Sequence, residues 1–217
     1  MPHVFVTGGT GYIGSRLIPR LLARGHAVRG LVRAGAERRL PTGAEPVVGD
    51  ALDAGTFASL IPPAHTFVHL IGTPHPGPAK ATQFVNVDLA SAYAAADAAA
   101  AAGIAHLIYV SVAHPAPAMR AYQSARKRGE AYIEARGLSA TMVRPWYVLG
   151  PDHQWPRALA PIYWLAEQLP ALREGARRCG LVTIDQMLDA LVVAVEHPVL
   201  GVRIVDVPAI RAARVAD

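Results

Sequence analysis

The sequence predicts an α/β fold with a doubly wound, mainly parallel sheet and a small C-terminal cap. Three observations support this prediction. Strand and helix patterns alternate along the chain with short connections, which is typical of parallel βαβ units. A glycine-rich turn joins the first strand to the first helix. The length of 217 residues suits one domain with a substantial core.

The first strand–turn–helix unit lies at the N-terminus. Apolar residues 4–7 predict a strand, and the following helix carries one apolar stripe that ends before Gly25. Pro19 lies inside this helix and removes one of its hydrogen bonds, so we expect a kink there. The stripe consists of Ile13, Leu17, Ile18, Leu21 and Leu22.

The later elements alternate in the same way. Further strands are predicted at 27–32, 45–48, 66–71, 105–110, 140–143, 180–183 and 203–207, and further helices at 54–61, 79–102, 118–136 and 185–196. Asp53 is expected to cap the helix at 54–61. Residues 146–180 are rich in tryptophan and proline, and we expect them to form a cap, containing Trp155 and Trp164, on a single domain that spans 1–217.

Composition limits the classes of partner. The net charge is +5 and the pI about 9.7, but the arginines are scattered and no basic recognition helix is evident, so no nucleic-acid partner is expected. Segment 91–113 is long enough to span a bilayer, but it is mostly alanine and contains Asp97, Gly103 and His106. No membrane span and no signal peptide are therefore expected.

Cysteine and histidine usage narrows the chemistry further. The single cysteine, Cys179, excludes an intrachain disulfide and fits a reducing cytoplasm, which is the expected location. The histidines lack the paired spacing on a helix that a metal site needs, so no metal is expected. His114 follows the fifth strand and could face a substrate, but an ordinary loop position is the favoured interpretation.

The glycine-rich turn reads Thr7-Gly8-Gly9-Thr10-Gly11-Tyr12-Ile13-Gly14. Its glycines fit G-x-G-x-x-G from Gly9, or G-x-x-G-x-x-G from Gly8. A pyrophosphate needs a tight turn, a close backbone approach and a helix N-terminus aimed at its charge, and this order of elements provides all three. The motif therefore predicts a dinucleotide site.

Together these motifs resemble the short-chain dehydrogenase/reductase superfamily, and in particular its atypical, epimerase-like NAD(P)H-binding branch. The resemblance implies a Rossmann-type domain that binds NAD(P)H. It covers nearly the whole chain and rests on the glycine turn, Val32-Arg33, Gly49-Asp50, Ser111, Tyr122-Gln123-Ser124-Ala125-Arg126, Gly129-Glu130, Val143-Arg144-Pro145 and Gly150-Pro151.

Cofactor choice is expected to depend on the end of the second strand. An acidic residue there would bind the ribose 2′-hydroxyl of NAD, but Arg33 occupies the position and 27–36 contains no carboxylate. Because arginine pairs with a 2′-phosphate, NADP(H) is predicted over NAD(H), the alternative being that Arg33 is an ordinary solvent-facing side chain. The resemblance implies further cofactor contacts at Asp50, Ala51, Ile71, Gly72, Thr73, Ser111, Arg126 and Pro145. Asp50 could equally be a turn residue.

The superfamily's catalytic pattern is a tyrosine with a lysine four residues later, assisted by a serine. The resemblance places Tyr122 and Ser111 in these roles, with Arg126 in the lysine position. Arginine retains the positive charge but differs in bulk and in geometry, so the exchange is not conservative. A packed Tyr122 and a strand-end hydrogen bond for Ser111 are the alternatives to catalysis. Trp146 and Tyr147 are candidates for the pocket wall.

Three functions fit these residues. The first is an NAD(P)H-dependent oxidoreductase that reduces a small carbonyl or quinone-like substrate, with that small molecule as its partner. The second is a non-catalytic dinucleotide-binding redox sensor or assembly protein, and Arg126 in the lysine position motivates it. The third is an epimerase or dehydratase, for which the short C-terminal part leaves little room. The oligomeric state stays open.

Overall fold

A seven-stranded sheet forms the centre of the protein. This computed structural model describes residues 3–116, 118–151, 174–175 and 178–215. The sheet has the order β3-β2-β1-β4-β5-β6-β9, and every neighbouring pair is parallel. Its strands are β1 His3–Thr7, β2 Ala27–Val32, β3 Glu45–Val48, β4 Thr66–His69, β5 His106–Val110, β6 Ala140–Val143 and β9 Val202–Val205. The doubly wound parallel fold is thus confirmed.

Helices cover both faces of this sheet. They are α1 Gly14–Ala23, the single turn α2 Ala81–Gln83, α3 Ala90–Ala101, α4 Arg120–Ala135, α5 Ile184–Glu196 and α6 Val207–Ala212. One apolar layer joins α1 and α5 to the sheet, and a second joins α3 and α4 to the opposite face. No helix in the described part of the chain is both long and apolar enough to cross a membrane.

Several predicted elements differ from the structure. The strand expected at 66–71 ends at His69. The helix expected at 54–61 is two 3₁₀ turns, Ala54–Thr56 and Ala58–Leu60. Asp53 caps the first turn through the amide of Gly55, but glycine is a poor helix former and the turn does not extend. The final strand ends at Val205 rather than at residue 207, because Asp206 accepts a hydrogen bond from the amide of Ala209 and starts α6.

The helix predicted at 79–102 also departs from a regular α-helix. Between α2 and α3 the chain forms a π-helix at Phe84–Leu89. Such segments are rare and frequently lie at functional sites, since the extra residue per turn redirects the side chains that follow. Here the π-helix contains Asp88, which is fully buried.

A second, two-stranded sheet forms near the two ends of the segment expected as the cap. β7 Tyr147–Leu149 pairs in parallel with β8 Leu181–Thr183. Trp155 and Trp164, expected in the cap, lie outside the described residues. The division into one domain with a cap at 146–180 stays a prediction.

A buried histidine links three strands on one face of the sheet. His106 on β5 is fully buried, and its Nε2 lies 2.9 Å from the hydroxyl of Thr141 on β6. Arg203 on β9 donates to the same hydroxyl at 3.1 Å. Burial, with a smaller effect from Arg203, lowers the pKa of His106 to about 4. The folded protein therefore favours the neutral imidazole.

Acidification is expected to destabilise the fold through His106. Its pKa is lower in the folded chain than in the unfolded one, so this stabilisation is complete above pH 6.5 and declines as the pH falls towards 4. Between pH 6.5 and 4 the free energy of unfolding should fall less for the His106→Gln variant than for wild type, by up to about 3 kcal/mol. Urea unfolding at several pH values measures the difference. Replacement of the exposed His197 by glutamine is the control. If the free energy of unfolding depended on pH equally in His106→Gln and in wild type, the expectation would be contradicted.

Candidate functional site

The glycine-rich turn lies against the loop that follows β4. Gly8 has a φ of 77°, and a Cβ there would lie 3.0 Å from the carbonyl carbon of Leu70. A Cβ on Gly14 would approach the Cα of Gly9 to 2.7 Å, closer than real Cβ contacts allow. Backbone therefore packs on backbone at Gly8 and Gly14, as the dinucleotide motif requires.

The N-terminus of α1 has the features of an anion site. Its first residues receive no side-chain cap, and its first turn contains no acidic residue. The amides of Ser15 and Arg16 already donate to the carbonyls of Gly11 and Ile13, so what the helix itself offers a ligand is the positive end of its dipole, and phosphate is an anion that such sites bind. Because a cofactor phosphate supplies both charge and acceptors, the turn fits the pyrophosphate of a dinucleotide.

The side chains of the turn face the protein. The Thr7 hydroxyl lies 2.8 Å from Nδ1 of His69, a buried residue at the end of β4. Burial, with a smaller effect from Arg126, lowers the pKa of His69 to about 3 and keeps it neutral. Tyr12 packs against Gly150, and the guanidinium of Arg16 lies 4.1 Å from the centre of its ring. Because the Tyr12 side chain is engaged in this packing, a cofactor contact through its backbone stays a prediction.

The predicted adenosine end lies beyond β2 and β3. Arg33 follows β2 and is exposed, as are Arg38 and Arg39 in the next 3₁₀ turn. Asp50 follows β3, and its carboxylate accepts the amide of Leu52 at 2.9 Å. This hydrogen bond is one that a turn residue makes, which is the alternative interpretation of Asp50. A contact with adenine stays a prediction for Asp50 and the adjacent Ala51.

A buried ion pair crosses the carboxyl ends of β4 and β5. Nη2 of Arg126 donates to Oδ1 of Asp88 at 2.7 Å, and the two residues are 3% and 0% exposed. The Asp88 carboxylate also accepts the backbone amide of Thr73 at 3.1 Å and its hydroxyl at 2.5 Å. The predicted site residues Thr73 and Arg126 thus meet through a carboxylate that the sequence analysis did not select.

The remaining contacts of Arg126 are also within the protein. Nη1 donates to the carbonyls of Ile71 at 3.2 Å and Val110 at 3.0 Å. Burial lowers the pKa of Arg126, but the facing Tyr122, Tyr109 and Asp88 outweigh burial and hold that pKa above its ordinary value. The guanidinium is therefore permanently charged. Its described partners are one carboxylate, two carbonyls and the Tyr109 hydroxyl at 3.5 Å.

Tyr122 lies one helical turn before Arg126 and is half-buried. Its ring centre is 5.0 Å from that of Phe84, and the Arg126 guanidinium lies 5.2 Å from the ring centre. The structure therefore brings the predicted pair together, but Arg126 contacts the face of the tyrosine ring. Packing and catalysis both remain compatible with this position of Tyr122.

A second polar cluster surrounds Ser111 at the end of β5. Arg144 binds both carboxylate oxygens of the buried Glu130, at 2.9 Å and 2.6 Å. Nε2 of His114 lies 3.2 Å from the same carboxylate. Burial alone would raise the pKa of Glu130, but Arg144 and the nearby Ser111 hydroxyl hold it below its ordinary value. Burial lowers the pKa of His114, and Glu130 opposes this shift.

The Ser111 hydroxyl lies close to the Glu130 carboxylate but is not well aligned for a hydrogen bond with it. Ser111 is 2% exposed, and its Oγ meets no acceptor or donor in good hydrogen-bond geometry among the described residues. A buried hydroxyl without a partner is costly, so such groups in native proteins call for a ligand or a water. Pro145 lies opposite, where its carbonyl accepts the amide of Ala113 at 2.9 Å.

Sequence reasoning missed two parts of this site. Asp88 lies in an alanine-rich helical stretch, where a lone carboxylate resembles a solvated residue, and only the π-helix turns it inward. Glu130 and Arg144 belonged to the recognised motifs, but no pattern indicated that they would pair across 14 residues. Within the described ranges, no three His, Cys, Asp or Glu side chains are grouped to hold a metal ion.

Comparisons with known proteins agree with this geometry. Residues 8–156 match the pattern of a family described as NAD(P)H-binding. The chain is 30% identical over 200 residues to a ceramide reductase of Caulobacter vibrioides, covering 91% of this chain and 62% of that protein.

Two further proteins extend the comparison. A 4-hydroxy-2-methyl-3-oxo-4-farnesyl-3,4-dihydroquinoline-1-oxide ketoreductase of Stigmatella aurantiaca is 27% identical over 69% of this chain and 51% of its own. The chain thus spans between half and two thirds of these two relatives. The Bordetella bronchiseptica enzyme WbmH, solved with NAD⁺, superposes with a TM-score of 0.70 at 23% identity, over 95% of this chain and 75% of WbmH, and so shares the fold.

A methyl group on Gly14 is expected to disrupt the glycine turn. The Gly14→Ala Cβ would overlap the backbone of Gly8 and Gly9, which cannot rotate away as a side chain could. Dinucleotide affinity should fall at least about tenfold, measured by the fluorescence of bound NADPH. Gly175→Ala, where a Cβ has open space, is the control. Unchanged binding by Gly14→Ala would show that the turn does not hold the pyrophosphate.

Proposed function

Because this chain belongs to the NAD(P)H-binding family, we propose that it is an NADPH-dependent oxidoreductase acting on a small carbonyl or quinone-like substrate. The observation that carries this proposal is the position of Ser111 after β5, on the same sheet edge as the glycine turn, where its buried hydroxyl makes no well-aligned hydrogen bond with the described residues. In open parallel sheets ligands bind at this edge, outside the carboxyl ends of the strands.

Residues of one edge would hold the cofactor. The glycine turn and the N-terminus of α1 would take the pyrophosphate, while the backbone at Ile71, Gly72 and Thr73 would line the adenine ribose. The bound nicotinamide supplies a hydride to an electrophilic carbon. Support comes from the close approach of Gly8 to Leu70 and Ile71, which places the two backbone segments side by side.

Ser111 and Tyr122 would act on the substrate oxygen. As hydride reaches the carbonyl carbon, the carbonyl electron pair moves to oxygen and needs a hydrogen-bond donor and then a proton. The Ser111 Oγ–H makes no well-aligned hydrogen bond with the nearby Glu130 carboxylate, so it would be able to donate to that oxygen. The Tyr122 hydroxyl would then supply the proton. Two relatives named as reductases support this class of chemistry.

The preference for NADP(H) rests on Arg33. Its exposed guanidinium follows β2, with Arg38 and Arg39 nearby in the chain and also exposed. A 2′-phosphate would find charge-assisted donors here. The lone Cys179, a thiol outside any disulfide, is consistent with the cytoplasmic location that we also propose.

A non-catalytic dinucleotide-binding protein is the second candidate. The observation that favours it is the commitment of Arg126 to Asp88 and to two carbonyls. In the family pattern, the lysine at this position assists the tyrosine and binds the nicotinamide ribose. A protein of this kind would bind the cofactor tightly and leave it unoxidised with every substrate.

Reduction is expected to depend on Ser111 and Tyr122. With a panel of ketones, aldehydes and quinones, Tyr122→Phe should lower kcat about a hundredfold because the proton donor is lost. Ser111→Ala should lower it about tenfold or more because one donor to the developing oxyanion is lost. NADPH absorbance measures both rates, and Tyr93→Phe on α3 is the control. NADPH binding without turnover by wild type would favour the second candidate.

Arg33 is expected to select the phosphorylated cofactor. Arg33→Ala should bind NADPH about tenfold to a hundredfold more weakly and NADH nearly unchanged, since one arginine–phosphate interaction contributes about 1.5 to 3 kcal/mol. Solvent exposure favours the lower limit. Titration of both cofactors into wild type, Arg33→Ala and the control Arg128→Ala measures this. Equal affinity of wild type for both cofactors would show that Arg33 is not the selector.

A further inference from the structure

Arg126 occupies the position at which the family pattern has its catalytic lysine, but its contacts indicate a different role. We propose that Arg126 and Asp88 are positioning residues whose buried pair holds the turn at 71–73 in its cofactor-binding shape. In this role Arg126 does not assist proton transfer. The inference rests on the proposed function, because that function places the cofactor against this turn.

The contacts of Arg126 require a forked cation. Nη2 reaches Asp88 at 2.7 Å, while Nη1 reaches the carbonyls of Ile71 and Val110 at 3.2 Å and 3.0 Å. A lysine presents a single nitrogen, which cannot occupy both of these positions. Gly72 is the matching feature in the turn, because a Cβ there would overlap Nη2 of Arg126.

The pair controls the turn through three groups. Asp88 accepts the amide and the hydroxyl of Thr73, and Arg126 donates to the carbonyl of Ile71. The amide nitrogen of Ile71 lies 3.1 Å from the position of a Cβ on Gly8. A shift of the turn therefore changes the space beside the first glycine of the phosphate-binding turn.

The contacts of the pair separate this role from direct catalysis. Both terminal nitrogens of Arg126 and both carboxylate oxygens of Asp88 bond protein groups, and only Nε of Arg126 has no partner among the described residues. The guanidinium of Arg126 also lies over the face of the Tyr122 ring, 5.2 Å from the ring centre. The π-helix at 84–89 gives Asp88 its inward direction, and the energy of a buried pair depends on such fixed geometry.

Three variants test the inference. Arg126→Lys keeps the charge, and Asp88→Asn keeps the size and the capacity to bond Thr73. Both should raise the Kd for NADPH at least about tenfold and lower Tm by about 5–10 °C, because each leaves a buried group unpaired. The Kd of the double variant for NADPH should lie within about twofold of that of the single variant that binds more weakly. The reason is that all three variants lose the same Arg126–Asp88 contact. Fluorescence titration below the lowest Tm measures binding.

A second arginine–aspartate pair, which joins α4 to the helix that follows the π-helix, provides the control. Arg136, at the end of α4, pairs with Asp97 on α3, but both side chains are more than a third exposed. Arg136→Lys and Asp97→Asn repeat the chemistry of the test variants away from the turn. They should leave the NADPH affinity unchanged and move Tm by less than about 3 °C.

Kinetics distinguish positioning from catalysis. For Arg126→Lys, KM for NADPH should rise while kcat at saturating NADPH, and its pH dependence, stay those of wild type. If Arg126→Lys left KM and Kd for NADPH unchanged, or if it altered the pH profile of kcat, the inference would be overturned. Either result would indicate that Arg126 assists proton transfer. A wild type that binds neither NADPH nor NADH would instead contradict the proposed function.

Discussion

The common direction of the strands constrains every candidate functional group in this protein. β1, β4, β5 and β6 are neighbours and run parallel, so their carboxyl ends meet at one edge of the sheet. The residues that follow them come from positions far apart in sequence. Thr7, Ile71, Ser111 and Arg144 lie at this edge because of strand pairing, and no local sequence signal would bring them together.

Charge burial at this edge follows from the same arrangement. Loops that cross the ends of parallel strands leave carbonyls and amides without ladder partners, and these need bonds from elsewhere. Arg126 and Asp88 satisfy three such groups in the turn after β4 and at the end of β5, while Arg144 and Glu130 form a second pair beside β6. Replacement of such pairs by apolar residues can be neutral for stability, so their value here lies in the defined geometry that they impose.

Regular elements were predictable from sequence where the pattern was unambiguous. β2, β3 and β6 begin and end where the apolar runs predict, and the glycine turn adopts the backbone packing that its motif requires. The failures were local. Propensity did not show that Gly55 would interrupt a helix or that residues 84–89 would form a π-helix. Asp88 could not be found because its inward direction depends on that irregular segment, and the partners of Arg126 depend in turn on Asp88.

The pairing of β7 with β8 has a consequence for how such chains diverge. Because these strands lie side by side, the two ends of the segment that joins them are held close together. Lengthening a segment with fixed ends costs little, about 0.6 kcal/mol of closure entropy for each doubling of its length. Insertions and deletions between β7 and β8 can therefore accumulate in evolution at little cost to the pairing of the two strands.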